Sequence, residues 1–503
     1  MEVPMLHTNR GFSESTTRAD GAGVHTELTK NGTIRRKRWA TRARTGCLTC
    51  RSRHIRCDEG KPYSSSDVTG ASPTVSLETE EATLRGSAEE AIVQSPLFVE
   101  PEPPHWEQME AVRYFRDYII PLRKQQLIPS ERHRPQWSGP NGCYLVMRAA
   151  SHRIATASRA LGIFPGARDE PSMRGVWATV TRHITQLIVS VNIDLRSMTR
   201  SPHDKQELFR KIFYLIYFDV AVNPSSLCQH LRGYLALVQH VGGVSALMAQ
   251  NDRGLDTIQE VMLMVGNSTN TTSPANKLLQ GFAAYTDKDL AKLAGMASEQ
   301  KFTVPTALFI SCIRLTQLRG RVADGTITDF ALKLATRDLL NNISTFDAGE
   351  WGCNMKAIAG SRASSFARIF QVSTRLYGIL SLPSSAIVSW STASVCPQLP
   401  HLGAYQSVRV INRQTLLELL YQYRGAFARD IHLTWPLVVA GVSLAGDGSV
   451  EDRNFIAESL LAIWSNPLAR RSPLLCLEKL RIFWASGKTA WDDCFDEPTP
   501  CNA

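Results

Sequence analysis

Cys47, Cys50 and Cys57 are the residues of this 503-residue chain whose type and spacing could do chemistry. They lie in the run Arg44-Thr-Gly-Cys-Leu-Thr-Cys-Arg-Ser-Arg-His-Ile-Arg-Cys-Asp-Glu-Gly-Lys-Pro62, the most basic stretch of the molecule. Thiolates in a Cys-x2-Cys-x6-Cys pattern are metal donors, and zinc in a structural site takes four ligands in a tetrahedron. Three thiolates do not close one tetrahedron, so a single ion needs a fourth donor from water, His54 or a second chain. Two ions are out of reach. Small zinc modules fold with their metal, and without it these are three reduced cysteines in a basic segment.

The charge around them has its own chemistry. Residues 30 to 61 hold eleven Lys and Arg against Asp58 and Glu59, a net of +9 out of the chain's +10. A focused block of this kind is the electrostatic footprint of phosphate binding, because each neutralised phosphate releases counterions. Arg35, Arg36, Lys37 and Arg38 also read as a nuclear import signal, and signal and DNA arm coexist here. The sign then reverses: residues 67 to 110 carry ten acidic residues against Arg85 alone.

The cysteine run and its flanks resemble the first half of the fungal binuclear zinc cluster, the Zn(II)2Cys6 module, which continues with a second Cys-x2-Cys-x6-Cys. Here the second half is missing. Tyr63-Ser64-Ser65-Ser66-Asp67 stands where its first cysteine is expected, and no cysteine follows until Cys143. The resemblance implies zinc as cofactor, held by Cys47, Cys50 and Cys57, and double-stranded DNA as partner. It also implies a short helix carrying Arg51, Arg53, His54 and Arg56 into the major groove. Arg56 takes the place of a base-reading Lys, and arginine can make bidentate contacts to guanine O6 and N7. Lys61 and the arm from Arg35 to Arg44 would hold phosphates. Family members often dimerise through a coiled coil just after the finger; the acidic, Pro-bearing stretch here shows no heptads, so a homodimer and a partner transcription factor both stay open.

Four regions separate by composition: a polar tail, expected to be disordered, over 1–34; the basic, truncated zinc-cluster segment over 35–66; an acidic linker over 67–104; and a helical regulatory domain over 105–503. The expected fold class is all-α. Apolar residues recur at three-to-four spacing in Trp106, Met109, Val112, Phe115 and Ile119, before Pro121 is expected to interrupt. They do so again in Trp177, Val180, Ile184, Ile188 and Val191, in Leu208, Ile212, Leu215 and Ile216, and in Leu416, Leu417, Leu420 and Tyr421. Two runs carry a second resemblance. Gln229-His230-Leu231-Arg232-Gly233 through Gly242-Gly243 is similar to a helix of the fungal-specific transcription factor domain, and Thr434-Trp435-Pro436-Leu437 through Gly441 to its Trp-Pro-Leu helix. Gly242 and Gly243 read as a helix stop, Pro436 as a first-turn residue, and Gly441 as a point of close helix approach.

Several function classes find no support. No dinucleotide or P-loop glycine pattern, no His-Glu-x-x-His and no Gly-x-Ser-x-Gly occurs, so no enzyme is expected. Asp492 and Asp493 have no partner identifiable from sequence. His183, His230, His240 and His432 read as satisfied polar groups at helix surfaces. The remaining eight of the eleven cysteines show no paired metal spacing and read as buried or incidental thiols. No secretory signal opens the chain and no membrane span is expected. The whole reads as a nuclear transcription factor for RNA polymerase II genes, with a metabolic or secondary-metabolite gene cluster as the target class that the resemblance suggests. The rival is an interaction-only regulator, whose incomplete finger does not read DNA and whose helical domain acts through a partner factor.

Overall fold

In a computed structural model of the chain, the described residues are 26–28, 34–36, 105–124, 142–161, 171, 174–196, 202–221, 226–250, 252–300, 304–354, 360–393, 399, 402–425 and 431–501. Two compact units divide between Ser95 and Pro96. In the first, Thr26–Leu28 (β1) pairs antiparallel with Ile34–Arg36 (β2), placing Glu27 opposite Arg35. The structure thus differs from the sequence expectation at six residues, because three-residue strands are too short for a period-two pattern to announce.

The second unit is all-helical among its described residues. Its first half contains α1 (His105–Tyr114), α2 (Ile120–Lys124), α3 (Gly142–Leu161), α4 (Arg174–Arg196), α5 (Pro202–Ala221), α6 (Leu227–His240), α7 (Gly243–Met248), α8 (Arg253–Thr271) and α9 (Asp287–Gln300). Its second half contains α10 (Thr306–Ala323), α11 (Asp329–Thr345), α12 (Ala348–Asn354), α13 (Gly360–Ser381), α14 (Ser384–Ala393), α15 (Ala404–Gln422), α16 (Thr434–Ser443), α17 (Val450–Ser465), α18 (Ser472–Ser486) and α19 (Trp491–Cys494).

Two hydrophobic cores organise these helices, and α10 serves both. Its Phe309 and Ile313 join the first core, with Leu208 and Ile216 of α5, Leu231 and Tyr234 of α6, and Phe282. Its Leu308, Cys312 and Leu315 join the second, with Leu340, Tyr377, Trp435, Leu437, Leu480 and Trp491. At the centre of the second core lies α16, where all ten residues are buried. A helix apolar on every side has no polar face to present and must sit inside other helices. Gly441 sets its closest approach: a Cβ there would lie 2.7 Å from Leu480 Cδ1, and the Gly441 carbonyl accepts from Trp484 Nε1 at 2.8 Å. Gly242 and Gly243 end α6 with φ of +99° and +87°, left-handed values that a side chain would strain.

Some apolar stripes carry the expected phase and others do not. Leu208, Ile212, Leu215 and Ile216 are all buried, as are Leu416, Leu417 and Leu420, whereas Tyr421 is partly exposed. On α1, however, Trp106 (63% exposed) and Met109 (51%) face outward, and the buried line is Glu107, Ala111, Phe115 and Ile119. The carboxylate of Glu107 can face inward because a cation and an imidazole from α4 meet it. On α4 the buried line is Trp177, Val180, His183, Leu187 and Val191, leaving Ile188 outside. Pro121 does not stop the chain's first helical run. A π-helical turn over Phe115–Ile119 precedes it, Ile120 N–H donates to Phe115 O, and α2 continues to Lys124. Proline has no N–H to offer the preceding turn, and the wider π turn takes up the mismatch.

Candidate functional site

The expected metal and DNA residues divide sharply in what the structure describes. Cys47, Cys50, Cys57, Arg51, Arg53, His54, Arg56, Lys61, Lys37 and Arg38 lie outside the described residues, and Arg35 and Arg36 fall in β2. The donor set itself therefore carries the test of fit. Three thiolates fall short of the six that hold two ions in a binuclear cluster, and of the four donors that close a single site. Among the described residues, no group of three or more His, Cys, Asp or Glu side chains is placed to hold a metal ion.

The helical unit contains a polar centre that no local sequence pattern announces. Arg319 of α10 is 3% exposed. Its Nη1 donates to Thr271 O at 3.3 Å and to Tyr377 Oη at 2.9 Å, and its Nη2 donates to Asn270 O at 3.4 Å and to Ser273 O. Its Nε lies 3.7 Å from Asp492 Oδ1. The last carbonyls of α8 lack the i+4 donors of a continuing helix, and the two terminal nitrogens of the guanidinium supply donors at the negative pole of that helix. Trp491 Nε1 also reaches Thr271 O at 2.8 Å, and Asp492 Oδ2 accepts from Ala275 N–H at 3.2 Å. The Asp492 left unpartnered by sequence reading is thus a brace between α19 and the end of α8. Asp493 instead caps its own helix, accepting from Ala490 N–H at 3.3 Å. Burial pushes the Tyr377 phenol up to about 12, so the hydroxyl stays protonated at neutral pH.

In the first half, buried carboxylates pair with basic side chains across helices. Glu107 of α1 accepts from Arg182 at 2.5 Å and lies 3.1 Å from His183 Nε2. Asp219 of α5 is 5% exposed and meets His230 Nδ1 of α6 at 2.5 Å. Burial raises the Asp219 pKa, and the hydrogen bond and charge of His230 oppose the rise. His183 and His230 are therefore satisfied polar groups, as expected, although His183 sits in the interior rather than at a surface.

These centres do not assemble reaction chemistry. A groove of about 280 Å³ runs between α8 and α10, floored by Leu263, Leu279, Phe282 and Ile313. Part of its polar wall is committed inward: Asn270 exchanges two hydrogen bonds with the Leu279 backbone, and Gln317 donates to Phe282 O at 3.0 Å, while Arg321 and Asp324 also line it. Of the scattered cysteines, Cys312, Cys476, Cys494 and Cys501 are buried thiols, Cys228 is half-buried and Cys353 exposed. Burial pushes Cys312 up to about 12, far from a reactive thiolate. No helix among the described residues is long and apolar enough to cross a membrane.

Comparison with known proteins gives one informative match. No family model matches the chain, and no solved structure does. Over 278 residues the chain is 28% identical to the Phomenoic acid biosynthesis cluster-specific transcriptional regulator of Leptosphaeria maculans, covering 55% of this chain and 50% of that protein. The chain spans about half the length of the curated relative it matches, and over that half it is similar to a transcriptional regulator.

Proposed function

We propose that this protein is a nuclear transcriptional regulator of a biosynthetic gene cluster, that it contacts DNA through the basic segment around Cys47 to Lys61, and that it is not an enzyme. The observation that carries the reading is the 278-residue similarity to a cluster-specific transcriptional regulator. The concentration of +9 of the chain's +10 net charge in residues 30 to 61 supports the DNA contact independently. In this reading Arg51, Arg53, His54 and Arg56 read base edges, and Lys61 and the Arg35 to Arg44 arm hold phosphates. Zinc would shape that segment through Cys47, Cys50, Cys57 and one further donor. The helical unit supplies regulation and assembly.

The three-thiolate count favours a second reading, an interaction-only regulator that acts through a partner factor. One experiment separates the two. Zinc content and salt-dependent DNA binding of the full chain and its Cys50→Ala variant are measured on G/C-rich triplet sites and on scrambled DNA. DNA reading predicts bound zinc and a preference for the triplets of at least tenfold that Cys50→Ala abolishes, an affinity ratio worth about 1.4 kcal/mol. Equal, salt-sensitive binding to all sequences without zinc overturns it in favour of the interaction-only regulator.

A further inference from the structure

The groove between α8 and α10 is graded along its length. Arg319 of α10 reaches the Asn270 and Thr271 carbonyls, and Cys312, two turns earlier, is hydrogen-bonded to Asn267, so the two helices run side by side in the same sense. Leu263 and Ile313 therefore stand at one end of the groove, and Arg321 and Asp324 at the other. The Phe282 ring packs against Gly266 near the apolar end, and Leu278 lies against Gly320 near the charged one. From Ile313 to Arg321 is about 12 Å along the helix axis. The groove thus passes from hydrocarbon to charge over the length of a small amphipathic molecule.

Its charged end is unfinished. Arg321 and Asp324 are the only charged residues that line the groove, both are exposed, and neither pairs with the other or with another described side chain. Asp324 caps α10, its N–H donating to Gly320 O at 2.9 Å, so its carboxylate stands at the negative pole of the helix. That position disfavours a lone anion and favours a cation beside it. Arg321, one turn earlier, offers a fork of donors that suits a carboxylate. A head group with one charge of each sign satisfies both residues. A simple acid would leave Asp324 facing an anion, and a simple amine would leave Arg321 facing a cation.

We propose that this groove binds a small amphipathic zwitterion of the class of apolar α-amino acids. Its carboxylate meets Arg321, its ammonium meets Asp324, and its side chain lies over Leu278 and Phe282 toward Ile313. A groove of about 280 Å³ is close to the lower bound of small-molecule sites. Such a ligand bridges α8 and α10. Asn270 on the groove wall also gives its carbonyl to Arg319, so occupancy tightens the joint between the two cores.

The test is calorimetric titration of the full chain, without DNA, with three probes of one chain length: 2-aminodecanoic acid, decanoic acid and decylamine. The expected result is saturable binding of 2-aminodecanoic acid at one site, about tenfold tighter than either of the others. Arg321→Gln and Asp324→Asn each weaken it about tenfold, whereas Arg321→Gln does not weaken decylamine and Asp324→Asn does not weaken decanoic acid. Both positions are exposed, so neither substitution threatens the fold. A 2-aminodecanoic acid analogue with a photoreactive diazirine in its chain should label peptides containing Phe282 or Ile313. No saturable binding, equal affinity for the three probes, indifference to both substitutions, or labelling elsewhere would each overturn the site. With no DNA present, such a failure leaves the regulator reading untouched.

Discussion

The two halves of the helical unit solve the problem of buried polarity in different ways. In the first half, carboxylates reach across helices to basic side chains: Glu107 to Arg182 and His183, Asp219 to His230, Asp194 to Lys211, and Asp252 to Arg210. In the second half, buried and half-buried donors reach backbone carbonyls instead. Arg409 donates to Ser443 O at 2.9 Å and to Ala445 O at 2.7 Å, Arg453 to Leu444 O at 3.0 Å, and Gln371 to Ile343 O at 2.7 Å. The first arrangement depends on titrating groups; the second rests on a guanidinium that stays charged and on carbonyls that do not ionise. Asp447, the carboxylate that does sit beside Arg409 and Arg413, is roughly half exposed. Burial works against its charge, but the Arg413 hydrogen bond and both guanidinium charges hold its pKa below the ordinary carboxylate value.

Arg319 belongs to both halves, and its removal is the strongest way to break the contrast. Arg319→Met leaves the Ser273 carbonyl without its donor and the Asn270 and Thr271 carbonyls with only Ser273 N–H and Trp491 Nε1, an expected loss of about 3 kcal/mol in denaturant unfolding. Tryptophan fluorescence, dominated by second-half residues such as Trp435 and Trp491, should then cease to coincide with far-ultraviolet circular dichroism. A coincident transition with unchanged midpoint would mean that Arg319 does not couple the cores.

A smaller effect isolates the first half. His230→Ala strands the buried Asp219, costing about 2 kcal/mol at neutral pH, and adding Asp219→Asn should recover most of it. Failure of the second substitution to rescue would show that His230 contributes packing rather than charge.

The smallest effect sharpens the comparison through pH. Burial holds the His183 pKa below its ordinary 6.5 against the pull of Glu107, with Arg182 adding to the lowering. The unfolded chain then takes up a proton that the folded one resists. This contribution is complete above pH 6.5 and is lost as pH falls through the lowered folded value. Thermal midpoints between pH 7.5 and 5.5 should fall in the wild type and fall less in His183→Gln; equal slopes would exclude His183 as their source.

How much of this was legible in the sequence follows from the range of each interaction. The all-α fold is visible because helix periodicity is local, and Leu208, Ile212, Leu215 and Ile216 stand where their spacing puts them. The phase of α1 was not visible, because the partners that let Glu107 turn inward stand 75 and 76 residues away. Periodicity is also silent on α16, which has no exposed face to contrast with a buried one. Arg319 was invisible for a further reason: its partners are carbonyls, which every residue has. The candidate metal and DNA residues show the reverse case. Their chemistry is legible in residue type and spacing, while their geometry lies outside the described residues.

The hydrogen bonds at the end of α8 have a consequence for how the chain is made. Thr499 N–H donates to Thr272 O at 3.0 Å, Thr272 Oγ1 donates back to Thr499 O, and Trp491 Nε1 reaches Thr271 O across 220 positions. Contacts of such long range carry a large loop-closure entropy and form late. The middle of the domain therefore waits, with α8 unfinished, until residues beyond 490 have left the ribosome. A message ending before the codon for Trp491 would release a chain whose helices can form but whose centre cannot close, a natural substrate for chaperones and proteases.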